Sequence, residues 1–160
     1  MTFSYKKNLI FIIALGLLGA SFTGCMKEDH WQDWKVINDQ WYEKHKNDAG
    51  YTLLPSGVSY KQTRWGNPSD GRPNAGSSIV ATYTGTLFND SIFDKGTNAN
   101  LGTLGYTVAG FQEVLLKMHV GDKYQFRIPF GLGYGAKGSG VKVPPYSVLQ
   151  FEVELNAFYN

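Results

Sequence analysis

The chain of 160 residues has one cysteine, Cys25, so no intramolecular disulfide can brace it. It has three histidines, and His30 and His45 have no cysteine, carboxylate or third histidine at ligand spacing. His30 and His45 therefore read as surface residues, and no metal is expected. Fifteen basic residues oppose thirteen acidic ones without forming a basic run, which removes the usual electrostatic ground for a nucleic-acid partner. Long apolar runs are also lacking. The one stretch of that kind, Leu9 to Leu18, is too short to span a bilayer as a stable helix.

That stretch has another use. Lys6 and Lys7 precede it, and small residues follow it down to Phe22-Thr23-Gly24-Cys25. This is the layout of a signal peptide over residues 1–24. Its end resembles a bacterial lipobox, with cleavage before Cys25 and lipid on the thiol. An ordinary secretory signal beside an incidental cysteine is the plainer alternative. A cysteine with no disulfide partner favours lipidation. The expected result is a lipid-anchored protein of the cell envelope, at the outer membrane and facing either the periplasm or the outside. Lys27-Glu28-Asp29 reads equally as a surface-export signal or as a solvated tether. Loss of Lys6 and Lys7 leaves thirteen bases against thirteen acids.

What the sequence has in quantity is aromatic side chains, at 15%. Residues 25–50 read as a tether followed by an amphipathic helix from Trp31 to Asn47. Its spacing of three and four brings Trp31, Trp34, Ile37 or Asn38, Trp41 and His45 to one face. The simplest use of that face is to pack on the domain behind it; a partner surface or a weak dimer contact is the other. Asp48-Ala49-Gly50 stops the helix.

Residues 51–160 form the globular domain. Val58–Arg64, Ile79–Leu87, Asp122–Ile128 and Leu149–Leu155 alternate with period two, as half-buried strands do. Gly110 to Met118 is the one convincing helix of the domain, with Phe111, Val114, Leu115 and Met118 in one stripe. Ile92-Phe93-Asp94 reads as a short strand or bend, and the polar, glycine-rich Lys95–Thr103 as a flexible flap. Tyr134 sits in a glycine-rich loop, and Pro144-Pro145 makes a stiff corner into the last strand. Four or five antiparallel strands with one oily face and a single helix imply an α+β half-barrel, a twisted antiparallel β-sheet wrapped around that short α-helix. On residues alone, Tyr83, Phe93, Val108, Phe111 and Phe151 read as ordinary core, Asp94 as a turn cap and Tyr134 as a tie for its own loop.

A set of short pieces changes that balance. Tyr83-Thr84-Gly85-Thr86-Leu87, Phe93-Asp94, Val108-Ala109-Gly110-Phe111, Met118-His119-Val120-Gly121, Ile128-Pro129, Tyr134-Gly135-Ala136, Val143-Pro144-Pro145 and Leu149 to Leu155 occur in one order. Together, from Leu54 to Leu155, they resemble FKBP-type peptidyl-prolyl isomerases. The resemblance implies a proline pocket walled by Tyr83, Phe93, Val108, Val143 and Phe151, floored by Phe111, with Asp94 and Tyr134 as catalytic groups at the rim. It implies proline-containing polypeptide substrates, macrolide inhibitors as further ligands, and no cofactor. The expected activity is isomerisation of X–Pro bonds during folding of exported proteins. A peptide-binding chaperone or adaptor with little turnover is the alternative, and a structural lipoprotein joined to an envelope complex through the tryptophan helix is a third. Phe111 stands where many relatives have Trp, and Asn100 to Thr103 lack an aromatic common there, which leaves one wall thinner. Lys142 replaces a frequent apolar residue.

Overall fold

The computed structural model describes residues 31–160. The expected signal peptide, Cys25 and His30 lie outside the described residues. Helix α1 runs Gln32–His45 and the sheet strands are β1 (Thr52–Leu53), β2 (Ser59–Arg64), β3 (Ser78–Leu87), β4 (Ile92–Thr103), β5 (Lys123–Ile128) and β6 (Leu149–Tyr159). A second helix, α2 (Ala109–Leu115), lies between β4 and β5. The six strands form one antiparallel sheet in the order β1-β2-β5-β6-β3-β4.

Period-two alternation decides which face of the sheet is dry. Tyr124, Phe126 and Ile128 of β5 and Leu149, Phe151, Val153 and Leu155 of β6 are buried, as are Ile79, Ala81 and Leu87 of β3. They close over the stripe of α2, where Phe111, Val114 and Leu115 are buried, with Met118 just beyond the helix. Helix and sheet approach so closely that a Cβ on Gly110 would lie 2.4 Å from Ile128 Cγ2. Gly85 likewise leaves room for two rings, since a Cβ there would meet Phe93 at 2.6 Å and Phe151 at 2.9 Å. Opposite the stripe, the outer face carries Lys61, Gln125, Arg127, Gln150 and Glu152.

Some expectations need correction. Lys95–Thr103 is no flap: it is most of the twelve-residue β4, paired along β3. Its register shifts three times, and Asn98 (φ 48°) and Gly102 (φ 72°) take left-handed conformations, which is the work its glycine and asparagine residues do. Among the described residues the strand count is six, because β4 is a full strand and β1 adds two residues. The stripe of α1 is most deeply buried at Asn38, not Ile37, and Tyr42 is buried beside it. Trp34 and Trp41 are half-buried beside Phe88, with ring centroids at 5.0 and 6.5 Å.

Helix α1 packs on its own domain. Asn38 Oδ1 accepts from the Val148 amide at 2.8 Å, and Trp34 Nε1 donates to Ser147 Oγ at 3.1 Å. At its C-terminal end, Arg127 reaches from β5 to donate to the His45 carbonyl and pairs with Asp48 at 3.1 Å. The Arg127 guanidinium also lies over the Tyr51 ring at 4.0 Å and the Trp41 ring at 5.3 Å. His45 is therefore not a plain surface residue: it is half-buried, 3.0 Å from Asp48 and tilted against the Trp41 ring at 4.7 Å. The pair with His45 and the nearby Arg127 charge hold the Asp48 carboxyl below its usual range.

Candidate active site

The site lies where β3, β4 and β6 meet the start of α2. Alternation on β3 turns Tyr83 to the inner face together with Ile79, Ala81 and Leu87. On β6 the same rule presents Phe151. Phe111 rises from the first turns of α2 and packs edge-on against Phe151 at 5.1 Å and Phe126 at 5.6 Å. Phe93 meets the other side of Phe151 edge-on at 5.5 Å. The four phenylalanines thus interlock, and Phe111 and Phe151 form the floor. These rings lie behind an open hollow of about 240 Å³.

Six of the residues singled out by sequence wall this hollow: Tyr83, Asp94, Val108, Phe111, Tyr134 and Phe151. Phe93 and Val143 do not. They line a neighbouring hollow of about 320 Å³ together with Ser139, Val141 and Lys142. Asp94 and Tyr134 belong to both, and so form the partition between them. Leu101, Tyr106 and Thr107 complete the first hollow and were not anticipated as site residues. Leu101 fills the wall that sequence suggested would be thin. The signal for Tyr106 and Thr107 was their place directly before Val108.

Tyr134 is fixed by its loop. A tight turn at Phe130–Leu132 is followed by Gly133 and Gly135, whose amides both donate to the Phe130 carbonyl, at 3.1 and 2.9 Å. The Gly135 carbonyl accepts from the Tyr146 amide at 2.9 Å. The proline corner thus holds the loop from its far side. Tyr134 stays 39% exposed, and its hydroxyl has no hydrogen-bond partner among the described residues.

Tyr83 differs. Its hydroxyl donates to Asp94 Oδ2 at 2.9 Å, and Asp94 Oδ1 accepts from the Lys95 amide at 2.9 Å. Burial first, and then the bond to Asp94 and its charge, push the Tyr83 phenol up to about 12. Burial and the Asp94 charge also raise Tyr134. Both phenols are therefore neutral donors at neutral pH, with one engaged and the other free.

A family model for the FKBP-type peptidyl-prolyl cis-trans isomerases matches residues 69–156, more than half of the chain. The chain belongs to that family. Among its relatives, the FKBP-type 22 kDa peptidyl-prolyl cis-trans isomerase of Escherichia coli is 32% identical over 72% of this chain and 57% of its own. The outer membrane protein MIP of Legionella longbeachae is 27% identical over 76% of this chain and 52% of its own. This chain spans little more than half the length of those two proteins. The crystal structure of a peptidyl-prolyl cis-trans isomerase from Pseudomonas syringae pv. tomato superposes with a TM-score of 0.73 at 26% identity, covering 81% of this chain and 96% of that one. The chain is accordingly an FKBP-type peptidyl-prolyl isomerase, and proline-containing peptides are its substrates.

Proposed function

We propose that this FKBP domain isomerises X–Pro bonds of exported proteins in the cell envelope, with Tyr134 as hydrogen-bond donor and Asp94 as a positioning residue. The observation that carries the reading is the convergence of Tyr83, Asp94, Val108, Phe111, Tyr134 and Phe151 on one open hollow. Turning a peptide bond means losing its resonance, at a barrier of roughly 18–20 kcal/mol. The planar amide is more dipolar than the twisted one and is better hydrated. A prolyl ring seated on Phe111 and Phe151 would leave water behind, which removes part of the preference for the planar form. Tyr134, free of protein partners, would donate to the carbonyl before the proline. Asp94 would occupy the Tyr83 hydroxyl and hold that ring against the pocket wall. The barrier is one of rotation, and the scheme uses no cofactor.

The test is exchange NMR on a short X–Pro peptide. Catalysed exchange, several-fold slower in Tyr134→Phe with an unchanged melting temperature, is the expected result. Saturable binding without catalysed exchange would favour the chaperone or adaptor alternative. Val143 and Phe93 would hold the flanking residue, and a macrolide would compete for the Phe111 floor.

The envelope placement rests on the sequence before Trp31 and on the kinship with a protein named for the outer membrane. Residues 1–24 would be cleaved, Cys25 would carry lipid, and 25–50 would link it to the domain at 51–160. Labelled palmitate should enter the wild type and not Cys25→Ser; an unlabelled wild type would remove the anchor. The domain would act as a monomer or weak dimer, decided by sedimentation.

A further inference from the structure

Two side chains at the mouth of the site have no part in the scheme above. Tyr106 is 92% exposed and Val141 is fully exposed. Tyr106 belongs only to the hollow floored by Phe111, and Val141 only to its neighbour. They therefore stand on either side of the partition made by Asp94 and Tyr134.

Single exposed aromatics are ordinary on protein surfaces. Tyr106 differs in what carries it. It ends the tight turn Leu104–Tyr106, which is pinned on every side. The Leu104 and Gly105 amides donate to the Ser77 and Ala75 carbonyls at 2.9 and 2.8 Å. The Gln112 side-chain amide donates to the Gly105 and Thr107 carbonyls at 3.2 and 2.6 Å. The Tyr106 hydroxyl itself has no partner among the described residues. A ring on a fixed backbone loses little freedom when something packs on it, so its contact with a bound chain is preorganised.

We propose that Tyr106 is a specificity-determining residue that packs against the side chain immediately after the proline and selects substrates with an aromatic or large apolar residue there. The direction rests on the reading of Tyr134 given above. With the carbonyl before the proline at Tyr134 and the prolyl ring on Phe111, the preceding residue falls on the Val141 side. The chain then leaves past Tyr106.

The test compares two peptides that differ only after the proline, one with Phe and one with Gly, by exchange NMR on the full chain. The wild type should turn over the Phe peptide roughly two- to tenfold more efficiently in kcat/KM, the range of one aromatic pair. In Tyr106→Ser the ratio should fall to about one, and in Tyr106→Phe it should be kept. A wild-type ratio near one overturns the proposal. So does a Tyr106→Ser variant in which both rates fall in parallel with the ratio intact. If neither peptide is turned over, the catalytic reading has failed, and binding affinities of the same two peptides decide the matter. Tighter binding of the Phe peptide that is lost in Tyr106→Ser supports the assignment, and equal binding overturns it.

Discussion

The two faces of the sheet are both rich in aromatic rings, yet they are finished differently. On the outer face Trp41, Tyr51 and His45 gather around Arg127, whose cation covers the rings and whose donors meet the His45 carbonyl and Asp48. On the inner face Tyr83, Phe111, Tyr134 and Phe151 line a hollow with no cation among its walls. Aromatic content alone does not separate a clamp from a binding site. What separates them is whether the cluster supplies its own cover. Arg127 lies over the Tyr51 and Trp41 rings of the first, beside an open hollow of about 400 Å³ with polar walls, and the second has no such cation.

The largest effect expected from breaking this contrast is at the shared floor. Phe111 is 4% exposed and touches both Phe126 and Phe151. Phe111→Ala should cost about 3–5 kcal/mol of stability, read by urea titration, and should abolish catalysis as well. Arg127→Met tests the clamp alone. It should cost about 1–3 kcal/mol by removing a charged donor from the His45 carbonyl, which keeps the Asp48 amide, and by leaving Asp48 without its guanidinium partner, while turnover per folded molecule stays unchanged. Equal loss of turnover would mean that the two faces are coupled. Tyr134→Phe is the converse. One free hydroxyl should be worth a two- to tenfold fall in kcat/KM, about 0.5–1.5 kcal/mol, with the urea midpoint unmoved.

The smallest effect concerns alkaline pH. A phenol whose folded pKa is raised favours the folded state in its neutral form. That contribution is complete below the unfolded value of 10.0 and, for Tyr83, is lost between there and about 12. Tyr134 is shifted in the same direction. Catalysis should therefore show no alkaline limb from either phenol below pH 10. A titration near pH 8 in the rate profile would contradict the assigned environment.

The dry face of the sheet was legible because it alternates: β5 and β6 could be read residue by residue. β4 was not, because it is an edge strand with much of its surface in water, and solvent leaves no period-two signature. Only its pairing with β3 makes it a strand. In α1 the spacing was right, and the structure decides between the two candidates at the centre of its stripe in favour of Asn38 over the exposed Ile37. The helix docks on a backbone amide of Val148, so the buried residue there is Asn38, which hydropathy marks as exposed. The pocket walls came from family resemblance more than from pattern, and the pattern had them as core. Both readings hold for Phe111 and Phe151, which are core below and wall above. Phe93 and Val143 missed the first hollow because sequence order does not tell which side of Tyr134 a residue falls on. Tyr106 was missed because an exposed ring has no periodicity to reveal it.

The shape of β4 bears on how such a protein survives its own substrates. Its substrates are proline-containing peptides, and β4 leaves one edge of the sheet unpaired beside the pocket. A straight border of free amides and carbonyls would invite those chains to add as a further strand and so to aggregate. Three register shifts and the left-handed turns at Asn98 and Gly102 break that border into pieces too short to template an addition. The irregular border leaves the pocket open and offers a peptide no ladder to join.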